Sequence, residues 1–142
     1  GPGADLAGAK LGSIDLTEVD LTGVSSGNVT GSPTLPTDWR LVVGYLVGPG
    51  ADLEDAQLGG ADLAGANLTD AKLKGADLTS ASLVDSNLTG ADLTDVPMDG
   101  ADLTRADLTD ATITIGALGV IGQPLALPDG WSVTETGELT RS

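Results

Sequence analysis

The pattern Ala-(Asp/Asn)-Leu-x-x repeats almost without interruption from Ala51 to Ile115, with a period of five residues. Its Leu-type position falls at Leu53, Leu58, Leu63, Leu68, Leu73, Leu78, Leu83, Leu88, Leu93, Met98, Leu103, Leu108 and Ile113. A small residue, nearly always Ala, stands two places before each. An α-helix turns about 100° per residue, so a five-residue step rotates each Leu about 140° from the last and builds no apolar stripe. A strand alternates sides with period two, so an odd step throws successive Leu side chains onto opposite faces. The chain must therefore bend once per pentad, with every Leu turned toward a common axis. The period predicts a solenoid.

Composition agrees with that architecture. Aromatic residues are 2% of the 142, and there is no Phe. In a solenoid each coil buries a small interior against its neighbours, so Leu and Ala suffice. The strict Leu/Ala spacing and a hydrophobic content of 40% argue against disorder. There is no Cys and no His, which excludes imidazole and thiolate chemistry: no Cys or His metal site, no Ser-His pair and no catalytic Cys. No Gly-rich phosphate loop precedes a Lys-Ser or Lys-Thr pair. No cofactor is expected.

The formal net charge of −15 favours solubility and repels nucleic acid and anionic membranes. No stretch is long and apolar enough to cross a bilayer as a helix. No signal peptide precedes Gly1, but a longer parent chain would carry its own, so localisation stays open, the exterior included.

A longer repeat lies above the pentads. Gly-Pro-Gly-Ala-Asp-Leu opens the chain at Gly1 and returns at Gly48. Each block closes on a related segment: Gly31-Ser32-Pro33 then Leu35-Pro36-Thr37-Asp38-Trp39, and Gly122-Gln123-Pro124 then Leu127-Pro128-Asp129-Gly130-Trp131. The expected organisation is a short pentad block at 1–23, a Pro/Trp insert at 24–50, a main block at 51–115 and a second Pro/Trp segment at 116–142. Arg40 to Val47 reads as a β-hairpin turning near Gly44. Trp39, Tyr45 and Trp131 are the large groups available to cap or join solenoid ends, which otherwise expose strand edges and apolar interior. The competing role for Trp39 and Tyr45 is a ligand-stacking platform; capping is preferred because solenoids need caps.

In its pentads, at Ala4 to Gly23 and Ala51 to Ile115, the chain resembles the pentapeptide-repeat family. The Pro/Trp segments are similar to spacers between pentad blocks in long bacterial repeat proteins. The resemblance implies an all-β fold: a right-handed quadrilateral β-helix with four pentads per coil, Leu and the preceding Ala inward, with short hairpin and loop inserts. Positions twenty apart would then stack, Leu53 under Leu73, Leu93 and Ile113, and the main block would hold a little over three coils. At about 4.8 Å per coil that is roughly 16 Å of rise. Buried Leu, at about 1.5–3 kcal/mol each, would be the main stabiliser. Val96-Pro97-Met98 departs from the pattern, and a local irregularity is expected there.

In that geometry the Asp before each Leu faces outward. Lys72 and Lys74 would sit one coil above Asp52 and Glu54 and one below Asp92, so the face alternates sign and reads as surface charge. Ca²⁺ would need about six converging oxygens, which flat ladders do not supply. Thr69, Thr89 and Thr109 make a single short column, which suits strand propensity better than an ice-ordering surface. The N-x-T triplets at Asn28, Asn67 and Asn87 are largely by-products of the repeat.

These readings favour a non-enzymatic structural or protein-interaction module from a bacterial repeat protein, presenting an acidic surface to a protein partner whose identity the residues do not give. The alternative is a DNA-mimicking gyrase inhibitor or protector, a role the resemblance allows and the charge fits. Against it stand the absence of Phe at Leu positions, the short uninterrupted run, Lys72 and Lys74, and the lack of an evident C-terminal dimerisation helix. An ion- or ice-ordering surface is the weaker third reading.

Overall fold

Each pentad reverses through its last two residues. The carbonyl of Leu53 accepts from the amide of Ala56 at 3.1 Å, and the same bond recurs from Ala61, Ala66 and Ala71 at 3.0 Å. The fifth residue of the pentad carries a positive φ: 56° at Asp55 and Asp70, 58° at Ser80, 57° at Asp85, and glycine at other turns. A positive φ at the third position of an i→i+3 turn marks a type II geometry, which selects Gly and tolerates Asp or Asn.

The computed structural model describes residues 1–114 and 119–142. The pentad end at Ile115, and the boundary between 115 and 116, lie outside the described residues. Among the described residues there is no helix. The regular elements are short: β1 (Lys10–Gly12), β2 (Thr30–Gly31), β3 (Arg40–Val42), β4 (Tyr45–Val47), β5 (Asp92–Leu93), β6 (Thr112–Ile113), β7 (Trp131–Val133) and β8 (Leu139–Arg141). β1–β2 and β5–β6 pair in parallel; β3–β4 and β7–β8 are antiparallel hairpins.

Most of the ladder is built from single parallel bridges: Asp52 to Lys72 to Asp92, Gln57 to Asp77, Asp62 to Ser82 to Asp102, and Asn67 to Asn87 to Asp107. Each rung spans twenty residues, so a coil is four pentads, and the chain is an all-β structure of the β-helix type. Leu-type residues from Leu53 to Leu108, Met98 included, are at most 1% exposed, and Ile113 is 9% exposed. The Ala before the others is buried as well, as is Val96 before Met98, and Ser86, which replaces the Ala before Leu88, is also buried. Its hydroxyl donates to the Leu83 carbonyl at 2.7 Å, so the extra oxygen is satisfied within the turn.

Pro97 lies between two buried inward residues, Val96 and Met98. Its carbonyl accepts from Leu78 at 3.0 Å, but without an N–H it returns no bond to the coil below. Among the described residues the irregularity is one missing rung, with the core unbroken.

The ladder does not stop where the pentads do. Ser25 bridges Asp5, Thr30 bridges Lys10, and Thr34 bridges Asp15, so residues 24–36 form the second coil, stacked on the first. Ile121 and Ala126 likewise bridge Asp102 and Asp107 and extend the main block upward. The ladder therefore runs across 23/24, and Ile121 and Ala126 continue it below the second hairpin.

Candidate interaction surface

The outward faces carry the polar side chains, and their first task is local. The Asp102 carboxylate accepts from the Thr104 hydroxyl at 2.6 Å and from its amide at 2.9 Å. Asp107 does the same with Thr109 at 2.7 and 2.9 Å, and Asp15 with Thr17 at 2.7 and 3.0 Å. Asn67 and Asn87 accept the amides of Thr69 and Thr89. These are Asx turns, in which the side chain two residues back mimics a backbone acceptor. The Thr104 and Thr109 hydroxyls, and then their amides, hold Asp102 and Asp107 below the usual carboxylate range. At Asp15 and Asp20 the amide of the following Thr is the larger cause and its hydroxyl the smaller. Asp15, Asp102 and Asp107 are thus fixed acceptors that shape the corners, a role that Asp-Leu-Thr spells out and that the surface-charge reading overlooked.

Cations sit among them at few points. The Lys72 ammonium lies 3.8 Å from Asp52. Arg105 grips Asp85 from the coil below through two guanidinium nitrogens, one of them at 2.6 Å, which lowers the Asp85 pKa. Lys74 faces a shallow open recess lined by Glu54, Asp55, Gly75 and Asp95. Among the described residues, no three acidic side chains are placed to hold a metal ion.

The aromatic residues gather at the hairpins. Trp39 is partly buried and packs against both apolar clusters: the main pentad core, and the smaller one built on Leu21, Val24 and Leu46. A Cβ on Gly48 would fall inside the Trp39 indole, so glycine is required where the chain re-enters the solenoid. Tyr45 packs on the main core, and its hydroxyl accepts the Gln57 amide at 3.1 Å. Arg40 donates to the carbonyls of Ala64 and Gly65 at 3.0 and 3.2 Å, and Asn67 donates to Asp38 at 3.3 Å. The first hairpin is therefore a seat: coil 50–69 rests on it through side chains, while the backbone ladder continues only from Ser25 to Asp52. Trp131, with Leu127 and Val133, packs against the top of the same core.

The sequence model of the family described as "Pentapeptide repeats" matches eight copies over residues 3–25, 50–83 and 71–110. No curated protein matches the chain. Among solved structures, it is similar to the pentapeptide repeat protein Rfr23 from the cyanobacterium Cyanothece 51142, at 22% identity over 89% of each chain and a TM-score of 0.47. It is also similar to alr5209, a pentapeptide repeat protein from Nostoc Pcc 7120, at 28% identity over 61% of this chain and 78% of that one, with a TM-score of 0.39. A third is QnrB1, a plasmid-mediated fluoroquinolone resistance protein, at 13% identity over 86% and 73% and a TM-score of 0.33. The pentads matched by that family model cover more than half of the sequence, and the chain belongs to the pentapeptide-repeat family.

Proposed function

We propose that the chain is a non-enzymatic structural or protein-interaction module: a rigid acidic rod whose coils form a right-handed quadrilateral β-helix. In this reading residues 1–36 and the main block from 51 up to the second hairpin are solenoid, and Trp39, Tyr45 and Trp131 join and cover its blocks. The observation that carries the proposal is the use made of the outward acids. The carboxylates of Asp15, Asp77, Asp92, Asp102 and Asp107 accept from the threonine two residues on, with pKa values lowered. A general acid or base needs a carboxyl poised near the working pH and free to exchange its proton. These are held below the usual carboxylate range in fixed positions, which suits a charged surface for a protein partner.

The second reading, gyrase binding by DNA mimicry, draws on the net charge of −15. Lys72, Lys74 and Arg105 interrupt the acidic face, and they favour the first reading. Gyrase supercoiling in the presence of micromolar protein separates the two. The expected result is no change in supercoiling. Inhibition that weakens with added salt, as screened charge contacts do, would replace the structural reading with the mimic.

A further inference from the structure

Two Asp-Gly pairs occur in the chain, Asp99-Gly100 and Asp129-Gly130. Each fills the middle of a turn closed by the residue that follows: Ala101 donates its amide to the Met98 carbonyl at 2.9 Å, and Trp131 to that of Pro128 at 3.1 Å. Both glycines have positive φ, 71° and 82°. The turns are alike, but the peptide between Asp and Gly is held differently in each.

The Asp99–Gly100 peptide is pinned on both sides. Its carbonyl accepts from Ser80 at 2.9 Å, and its amide donates to the Gly119 carbonyl at 2.9 Å, so it belongs to the ladder above and below. The Asp129–Gly130 peptide is pinned on neither side. Among the described residues its carbonyl and its amide have no partner, and both residues are exposed. Thr37 and Asp38 hold the same place in the first hairpin. Among the described residues the peptide between them is unbonded too, although coil 50–69 rests on that hairpin. The freedom therefore belongs to the Pro-x-x-Trp turn itself, and only the second copy places Asp-Gly in it.

We propose that Asp129 is a site of spontaneous backbone isomerisation. The Gly130 nitrogen attacks Cγ of the Asp129 carboxyl in its protonated form. An N–Cγ bond forms, a Cγ–O bond breaks, and the departing hydroxyl takes the amide proton and leaves as water. The product is a five-membered succinimide. Water then adds back at either ring carbonyl. Opening at Cγ restores aspartate; opening at the main-chain carbonyl leaves the chain running through Cβ and Cγ, with the free carboxylate on Cα. Charge and mass are unchanged, and one extra main-chain atom stands beside Trp131. Glycine favours the attack because it brings no Cβ against the carboxyl. Ring closure requires the Asp–Gly peptide to rotate until its nitrogen faces Cγ. At Asp99 that rotation breaks two ladder bonds; at Asp129 it breaks none, since the Trp131 to Pro128 bond uses neither group. The site is independent of the structural reading above.

Ageing the folded protein at neutral pH for several weeks tests the assignment. Tryptic cleavage after Lys74, Arg105 and Arg141 puts Asp99 and Asp129 on separate peptides. Electron-transfer fragmentation distinguishes isoaspartate from aspartate in each, and methyl transfer from S-adenosylmethionine by a purified isoaspartyl methyltransferase counts the product. Isoaspartate should accumulate at Asp129 about tenfold or more faster than at Asp99, because only Asp99 must wait for local opening of the ladder. In the same chain unfolded in urea the two rates should converge. No isoaspartate at Asp129, equal rates in the folded protein, or an excess at Asp129 that persists unchanged in urea would overturn the proposal.

Discussion

Replacing Leu83 with Ala removes three carbons from the middle of the stack. Leu83 is 0% exposed and lies between Leu63 and Leu103, which are also 0% exposed. At about 0.8 kcal/mol per buried CH₂, the transfer loss alone is about 2.4 kcal/mol. The neighbours are held by rungs on both sides and cannot collapse far, so most of the vacated space persists. At about 24 cal/mol per Å³, a residual cavity of roughly 60–80 Å³ adds about 1.4–1.9 kcal/mol. The expected cost is therefore about 4 kcal/mol. Leu11→Ala provides the control, because the same side chain in the first coil is already partly exposed. Its loss should be about 1 kcal/mol, within the range of modest point changes. Urea titrations followed by far-UV circular dichroism and by Trp fluorescence measure both, and agreement of the two probes licenses a two-state fit. Equal losses at Leu83 and Leu11, or a loss at Leu83 under about 1 kcal/mol, would refute the view that each coil is stabilised by being covered on both sides.

The Asx turns make two further expectations. Asp102→Ala removes the acceptor of both Thr104 bonds and should cost about 1–2 kcal/mol, whereas Asp102→Asn keeps an acceptor oxygen and should cost about half as much or less; equal losses in urea unfolding would show that the turn does not depend on that oxygen. Because the folded-state pKa of Asp102 is lowered, its contribution is present above the unfolded pKa of about 3.9 and lost as pH falls through the folded value. The stability gap between wild type and Asp102→Asn should therefore shrink below about pH 4, in a comparison that cancels the general easing of acidic repulsion; a gap that stays constant down to pH 2.5 would sink the assignment.

Sequence revealed the architecture because a five-residue period is incompatible with both regular elements, and the Ala/Leu frame that carries it is the one the family match recognises. Other features were hidden for physical reasons. Thr30 and Thr34 bear no pentad signature, yet they continue the ladder, because a rung is made by backbone groups and asks little of the side chain. Asp15, Asp102 and Asp107 precede Leu in every reading, but a carboxylate looks the same on paper whether it is solvated or closing a turn. The threonine two residues on adds a hydroxyl to the bond, but Asp5, Asp52 and Asp62 close the same turn on the amides of Ala7, Glu54 and Ala64. Trp39 drew attention for its size. That it touches two separate clusters at once depends on Gly48 leaving room for its ring.

The spacing of the rungs has a consequence for how such a chain can lengthen. From Ser25 to Asp52 the step is 27 residues where an ordinary coil takes twenty, and from Asp107 to Ala126 it is nineteen. Within a run of pentads a single inserted residue would shift every later Leu out of phase. The hairpin absorbs seven residues and returns the chain to the ladder with its phase restored. It works as an expansion joint for reading frame in space, so pentad runs of unequal length can be spliced, duplicated or trimmed on either side without renegotiating the core beyond it.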